Sequence, residues 1–145
     1  TLDTTLYTGR VCYRDSNGRA VAGYGATGNV LYMVTDGIDD LSVRGGAAIV
    51  STATGNLLAT ASGEYMIGVV ALRPGMQIIT SEYDTSGTWT VGSNVGVTGD
   101  GTLISGAGLS TTIGEVVAEG SDVNAQDSSS MNLLQVAIRK GYYGV

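Results

Sequence analysis

Histidine and phenylalanine are absent from the 145 residues, and cysteine, proline and tryptophan occur once each. Without histidine there is no Ser-His-Asp triad, no imidazole general base and no His-ligated zinc. One cysteine forms neither an intrachain disulfide nor a CxxC pair. Cys12 lies in a strand-like stretch and reads as a small buried apolar residue rather than a reactive thiol. Charge is scarce as well, at 14% of residues, and lysine occurs once. The 13 acidic and 7 basic side chains leave a net charge of −6, which lacks the electrostatic footprint of a nucleic-acid binder. Arg10, Arg14 and Arg19 form the one visible basic cluster. Long apolar runs are missing. Val30–Met33 and Val69–Leu72 fall far short of the ~20 residues that span a bilayer. The sequence therefore calls for no nucleic acid, no membrane, no metal and no cofactor.

What the chain has is β grammar. It carries 17 Thr, 16 Val and 23 Gly, and good helix formers are few. β-Branched residues pack well on a pleated surface, and glycine supplies the turns between strands. Apolar runs predict short strands at 6–14, 29–35, 47–53, 56–60, 65–72, 76–80, 88–91, 95–98, 102–105, 112–118 and 133–139. Asn17-Gly18 and Asp100-Gly101 predict tight hairpins of type I′. Pro74-Gly75 predicts a turn that ends the 65–72 strand. Residues 128–134 have room for one helical turn at most. The expected fold is all-β, a small β-barrel or β-sandwich of short strands.

Two segments match at a spacing of 46 residues: Gly55-Asn-Leu-Leu-Ala-Thr-Ala with Ile67-Gly-Val-Val, and Gly101-Thr-Leu-Ile-Ser-Gly-Ala with Ile113-Gly-Glu-Val. This internal repeat falls within an expected domain over residues 29–145, as two halves of one barrel. Residues 1–28 differ. They hold three of the six Arg and three of the eight Tyr, and few large aliphatics. They read either as an extended N-terminal arm lying across a neighbouring chain or as an irregular edge of the domain. Tyr and Arg offer large contact area with a polar handle at interfaces.

Motifs that spell chemistry do not carry it. Gly23-Tyr-Gly-Ala-Thr-Gly28 matches the dinucleotide pattern GxGxxG, but the following residues read as a strand, whereas the motif must open a helix. Asp36-Gly-Ile-Asp-Asp40 reads as a solvated acidic turn, since a calcium loop of the EF-hand type needs a distal Glu and flanking helices. Glu115 and Glu119, four residues apart on one strand, stand roughly 13 Å apart, too far for a glycosidase pair without bending. Trp89 reads as packed over a barrel mouth rather than as an exposed sugar platform. No catalytic constellation emerges, and no enzyme is expected.

From Trp89 to Arg139 the chain resembles the head decoration (cement) proteins of tailed bacteriophages. The resemblance lies in Trp89-Thr-Val-Gly92, Asp100-Gly-Thr-Leu103, Ile113-Gly-Glu-Val-Val117 and Leu134-Gln-Val-Ala-Ile-Arg139. It covers about a third of the chain, towards half with the repeat copy at 55–70, and it consists of turn and strand grammar rather than catalytic motifs. It implies a non-enzymatic structural virion protein, made in the host cytoplasm and bound to the outer capsid surface. Such a protein, as a homotrimer, clamps neighbouring major capsid proteins. Joined to the arm reading, it puts the capsid or subunit contact at Leu6, Tyr7, Arg10, Tyr13 and Arg14, with Tyr142 and Tyr143 of the Gly-flanked tail as further candidates. The competing reading is a receptor- or glycan-binding β-module of a tail or fibre.

Overall fold

The computed structural model describes residues 6–37, 67–108, 111–123 and 132–144. In chain order these form β1 (Val11–Arg14), β2 (Ala20–Ala22), β3 (Tyr32–Asp36), β4 (Gly68–Ala71), β5 (Gln77–Thr80), β6 (Asn94–Val97), β7 (Leu103–Ser105), β8 (Gly114–Glu119) and β9 (Leu134–Ile138), with one 3-10 turn at Gly120–Asp122. The strands build two antiparallel sheets, in the orders β2-β1-β3-β4 and β5-β9-β8-β6-β7. The architecture is all-β and sandwich-like; the sheets do not close into a barrel. Closure needs a continuous ladder of strand pairs. Here the outer edge of β7 is taken by the segment after β5, where Leu103 N–H donates to the Glu82 carbonyl at 3.1 Å and Asp84 N–H to the Leu103 carbonyl at 3.0 Å.

Alternation along the strands sets the layers. Val11, Leu31 and Leu72 from the first sheet and its flanks meet Ile78, Val95, Leu103, Ile113, Val116, Leu134, Val136 and Ile138 in one buried cluster. Burying each such side chain is worth about 1.5–3 kcal/mol. Cys12, next to Val11 in β1, points to the opposite face and packs with Leu6, Ala22 and Val34. It is a buried thiol, 1% exposed, as the sequence predicts. Gln135, buried on β9, donates across to the Gln77 side chain at 2.7 Å, which meets the cost of burying an amide.

The two sheets are laced together where the first one starts. Val11 N–H donates to the Gly101 carbonyl at 2.8 Å, and Gly23 N–H donates to the Val11 carbonyl at 2.9 Å. Thr80 Oγ1 donates to the Gly9 carbonyl at 2.8 Å. A Cβ on Gly101 would overlap the Val11 carbonyl oxygen, and one on Gly23 would overlap the Gly99 carbonyl oxygen. Only glycine lets these backbones approach so closely.

Several expectations are corrected. Residues 6–28, the described part of the segment read as an arm or an edge, carry β1 and β2 at one edge of the first sheet, with Val11, Cys12 and Ala22 in the core. The strand expected over 6–14 begins only at Val11, since a turn closed by Arg10 N–H on the Tyr7 carbonyl precedes it, with Gly9 at φ 95°. No strand forms over 88–91, where Ser93 N–H donates to the Thr90 carbonyl and closes a turn through Gly92. β2 was not anticipated. In the hairpins, Gly18 N–H bonds to the Asp15 carbonyl and Gly101 N–H to the Thr98 carbonyl, and both glycines have left-handed φ of 78° and 91°. Each glycine thus follows its turn as a bulge residue and is not a central residue of a type I′ pair. The Pro74-Gly75 turn forms as expected, closed by Met76 N–H on the Arg73 carbonyl at 3.1 Å, and carries the chain from β4 to β5.

The strands expected at 47–53 and 56–60, the first repeat copy at 55–61 and residues 128–131 lie outside the described residues. The described part of the repeat occupies unlike places. Ile67–Val70 leads into β4 at a sheet edge, and Ile113–Val116 leads into β8 inside the other sheet.

The glycine lacing makes a stability prediction. Gly101→Ala adds a left-handed strain to a backbone overlap and is expected to destabilise the fold by about 2–4 kcal/mol. Gly99 lacks a positive φ and has open space about its Cβ position, so Gly99→Ala is expected to be neutral or stabilising by about 0.4–1 kcal/mol. Urea unfolding of the two variants checks both.

Candidate functional site

The residues singled out from the sequence fall into separate places. Leu6 is 5% exposed and turned into the cluster around Cys12. Tyr7, one residue on, stands 37% exposed, with the Arg10 guanidinium 4.9 Å from its ring centroid. Arg10 Nε also meets the Glu82 carboxylate at 3.2 Å, and Nη1 donates to the Asp100 carbonyl at 3.4 Å. One arginine thus ties an exposed tyrosine to the seam between the sheets. Asp100 is held ionised, its pKa lowered chiefly by the Thr98 hydroxyl, with further help from Thr102 and Arg10.

A second place gathers Arg14 and Tyr142 around residues the sequence did not single out. Arg14, Asp15, Asn29, Val30 and Tyr32 line an open groove of about 360 Å³. The Asp15 carboxylate accepts from the backbone N–H groups of Asn17 and Arg19, both at 2.9 Å. Val30 is 51% exposed and bridges to Tyr142, itself 45% exposed. Lys140 Nζ lies 5.2 Å from the Tyr142 ring centroid and donates to the Gly144 carbonyl at 2.6 Å. The apolar run Val30-Leu-Tyr-Met-Val34 hid this site, because an unbroken run does not tell which side chain faces out.

Tyr13 and Tyr143 are half-buried. The Tyr13 ring fills the space that a Cβ on Gly25 would take. Tyr143 stacks on Tyr24 with ring centroids 3.9 Å apart. Its N–H donates to the Asn29 carbonyl at 2.9 Å, and its carbonyl accepts from Gly28 N–H at 2.6 Å. Burial first, and Tyr24 second, raise the Tyr143 pKa. The tail therefore straps down the glycine-rich loop at 23–28. That loop runs into Val30 and β3 with no helix, so the dinucleotide pattern lacks the element that would bind a pyrophosphate.

Trp89 is no open platform. Its indole N–H donates to the Asp84 carbonyl at 2.8 Å, and its ring meets Tyr83 edge-on at 5.4 Å. Glu115 pairs with Arg139, while Glu119 lies beside Tyr83. The two carboxylates serve different partners. Residues 38–40 of the acidic turn lie outside the described residues. Among the described residues, no three Cys, Asp or Glu side chains cluster as metal ligands.

Comparison of the chain with protein-family models, with curated proteins and with solved structures found no match in any of the three.

Tyr83 gives a pH prediction. Burial, and then the Glu119 carboxylate, push its hydroxyl up to about 12 from the ordinary 10.0. The unfolded chain therefore loses this proton first as pH rises. The neutral phenol's contribution is complete below the unfolded value and is lost on passing from 10.0 to about 12. The unfolding midpoint is expected to fall across that window. Tyr83→Phe is expected to flatten the fall, as read by urea titrations at stepped pH.

Proposed function

We propose that this chain is a non-enzymatic structural protein of a virion, bound to the outer capsid surface, where it bridges major capsid proteins and stabilises the assembled shell. The observation that carries this reading is where the decoration-protein resemblance falls. Its motifs at Asp100–Leu103, Ile113–Val117 and Leu134–Arg139 are the turn entering β7, most of β8 and all of β9, strands of one sheet, and Trp89–Gly92 lies in the turn that leads into that sheet. A rigid sandwich of low charge suits a passive clamp. Its mechanism is mass action. A protein that binds only the assembled lattice stabilises that lattice by its binding free energy, summed over many equivalent sites. The contact is assigned to the exposed Tyr7 with Arg10, and to Arg14 and Tyr142 at the second place. Tyrosine and arginine anchors of this kind dominate interface energies. The homotrimer that the resemblance implies belongs to the same proposal.

The second reading, a receptor- or glycan-binding module, is favoured by one feature. The groove offers a guanidinium, an amide, a carboxylate and a tyrosine beside the exposed Val30, a mixture that suits sugar hydroxyls and ring faces.

Peptide mass spectrometry of purified virions decides between them. The decoration reading expects a copy number of the order of the major capsid protein's. Tyr7→Ala is expected to weaken binding to emptied shells about 10-fold or more with the unfolding midpoint little changed. A few copies per particle, or none, would overturn the reading and leave the groove as the site to pursue.

A further inference from the structure

The groove at the Arg14 end of the first sheet holds a positive charge that nothing balances. Cys12 faces Tyr32 across β1 and β3. Side chains alternate along a strand, so Arg14, two residues after Cys12, and Val30, two residues before Tyr32, continue the row on the same outer face. Both line the groove. Val30 bridges antiparallel to Tyr142, and opposed residues of such a pair share a face. The row thus runs from a guanidinium over an exposed aliphatic side chain to an exposed tyrosine. The chain leaves β3 after Asp36 and enters β4 at Gly68, where these two residues pair, at the other end of the strands from the groove.

Arg14 is exposed, and its guanidinium makes no hydrogen bond or ion pair among the described residues. Asp15, its neighbour in sequence, instead spends Oδ1 on the N–H groups of Asn17 and Arg19. Lys140, beside Tyr142, gives its Nζ to the Gly144 carbonyl. A positive charge is therefore left for a ligand, in a chain whose net charge is −6. A guanidinium takes a carboxylate through two parallel hydrogen bonds, and its single charge matches a carboxylate better than a doubly charged phosphate. The remaining lining is neutral and mixed. Asn29 Nδ2 donates to the Tyr24 carbonyl at 3.3 Å, which fixes the amide and leaves its oxygen to accept. Tyr32 adds a hydroxyl that donates and accepts. An acidic peptide side chain would use the guanidinium alone. A sugar acid uses the whole row: its carboxylate on Arg14, its hydroxyls on Asn29 and Tyr32, its C–H face on Val30 and Tyr142. The groove's volume of about 360 Å³ falls within the roughly 300–1,000 Å³ of small-ligand sites.

We propose that this groove binds a sugar acid, a uronic-type saccharide whose carboxylate pairs with Arg14. The proposal rests on the glycan reading of the groove and adds the charge of the ligand to it.

The experiment follows the backbone amide shifts of the labelled chain by NMR as a uronic-acid disaccharide is added. It is repeated with the same disaccharide after its carboxyl group is reduced to an alcohol. The acid is expected to shift amides around the groove, and the reduced form to bind about 10-fold more weakly or less. Arg14→Ala is expected to bring the acid down to the level of the reduced form. Arg14→Lys, which keeps the charge and loses the fork, is expected to fall between. Val91→Ala, at an exposed turn residue before β6, is expected to change nothing. An unchanged urea midpoint shows that each variant folds. Equal binding of the two disaccharides would overturn the proposal and leave the glycan reading standing. Binding of neither would overturn both. A glutamate-containing peptide that binds the groove as tightly as the acid would overturn the sugar assignment, and uronate binding that Arg14→Ala leaves intact would overturn the role of Arg14.

Discussion

The rest of the structure depends on a close approach of backbones at the junction of the two sheets. Val11 sits at its centre. Its N–H is spent on Gly101, its carbonyl on Gly23, and its side chain is fully buried between the layers. A side chain at either glycine would push the layers apart. Around this point Thr80 holds Gly9, and Arg10 reaches Glu82 and Asp100. The first sheet contributes Val11, Leu31 and Leu72 to the cluster it shares with the second, and that apolar face needs a partner layer to cover it. The seam and the shared cluster provide that partner.

This constraint shapes what the surface can do. The side chains near the seam are held in place by it, so Tyr7 is presented on a rigid base rather than on a loose tail. The C-terminal residues are fixed in a similar way, by the Tyr24–Tyr143 stack and the bonds to the loop at 28–29. Tyr142 is thereby held beside Val30. Pre-ordered aromatic anchors lose little conformational entropy on binding. That property favours a clamp, and it is shared by the capsid reading and the glycan reading alike.

Much of the fold is legible in the sequence where alternation and turn chemistry agree. β3, β5, β6, β7, β8 and β9 fall within a residue or a few of the apolar runs that predict them, and Pro74-Gly75 marks the passage between sheets. β2 was hidden because Ala20-Val21-Ala22 is short and lies among Arg19 and the glycines of the next loop; its strand state comes from pairing with β1, not from propensity. Residues 88–91 looked like a strand because Trp, Thr and Val favour strands, but Gly92 at φ 87° turns the chain there. The N-terminal stretch looked poor in core residues by count. Yet Leu6, Val11, Cys12 and Ala22 are all buried, and position in the sheet outweighs number. The site was legible in part: Tyr7 and Arg10 come together, but the groove beside Arg14 depends on Val30 and Tyr32, which the apolar run concealed.

The central claim is that the seam makes the two sheets one cooperative unit. Two single-copy residues report on the two layers separately. Cys12 is buried in the first sheet, and Trp89 packs against the cluster shared with the second. The most direct measurement follows Cys12 thiol labelling and Trp89 fluorescence through the same urea series. The account predicts coincident transitions, the mark of two-state unfolding. Labelling of Cys12 at lower urea than the Trp89 transition would show the first sheet opening by itself, and would contradict it.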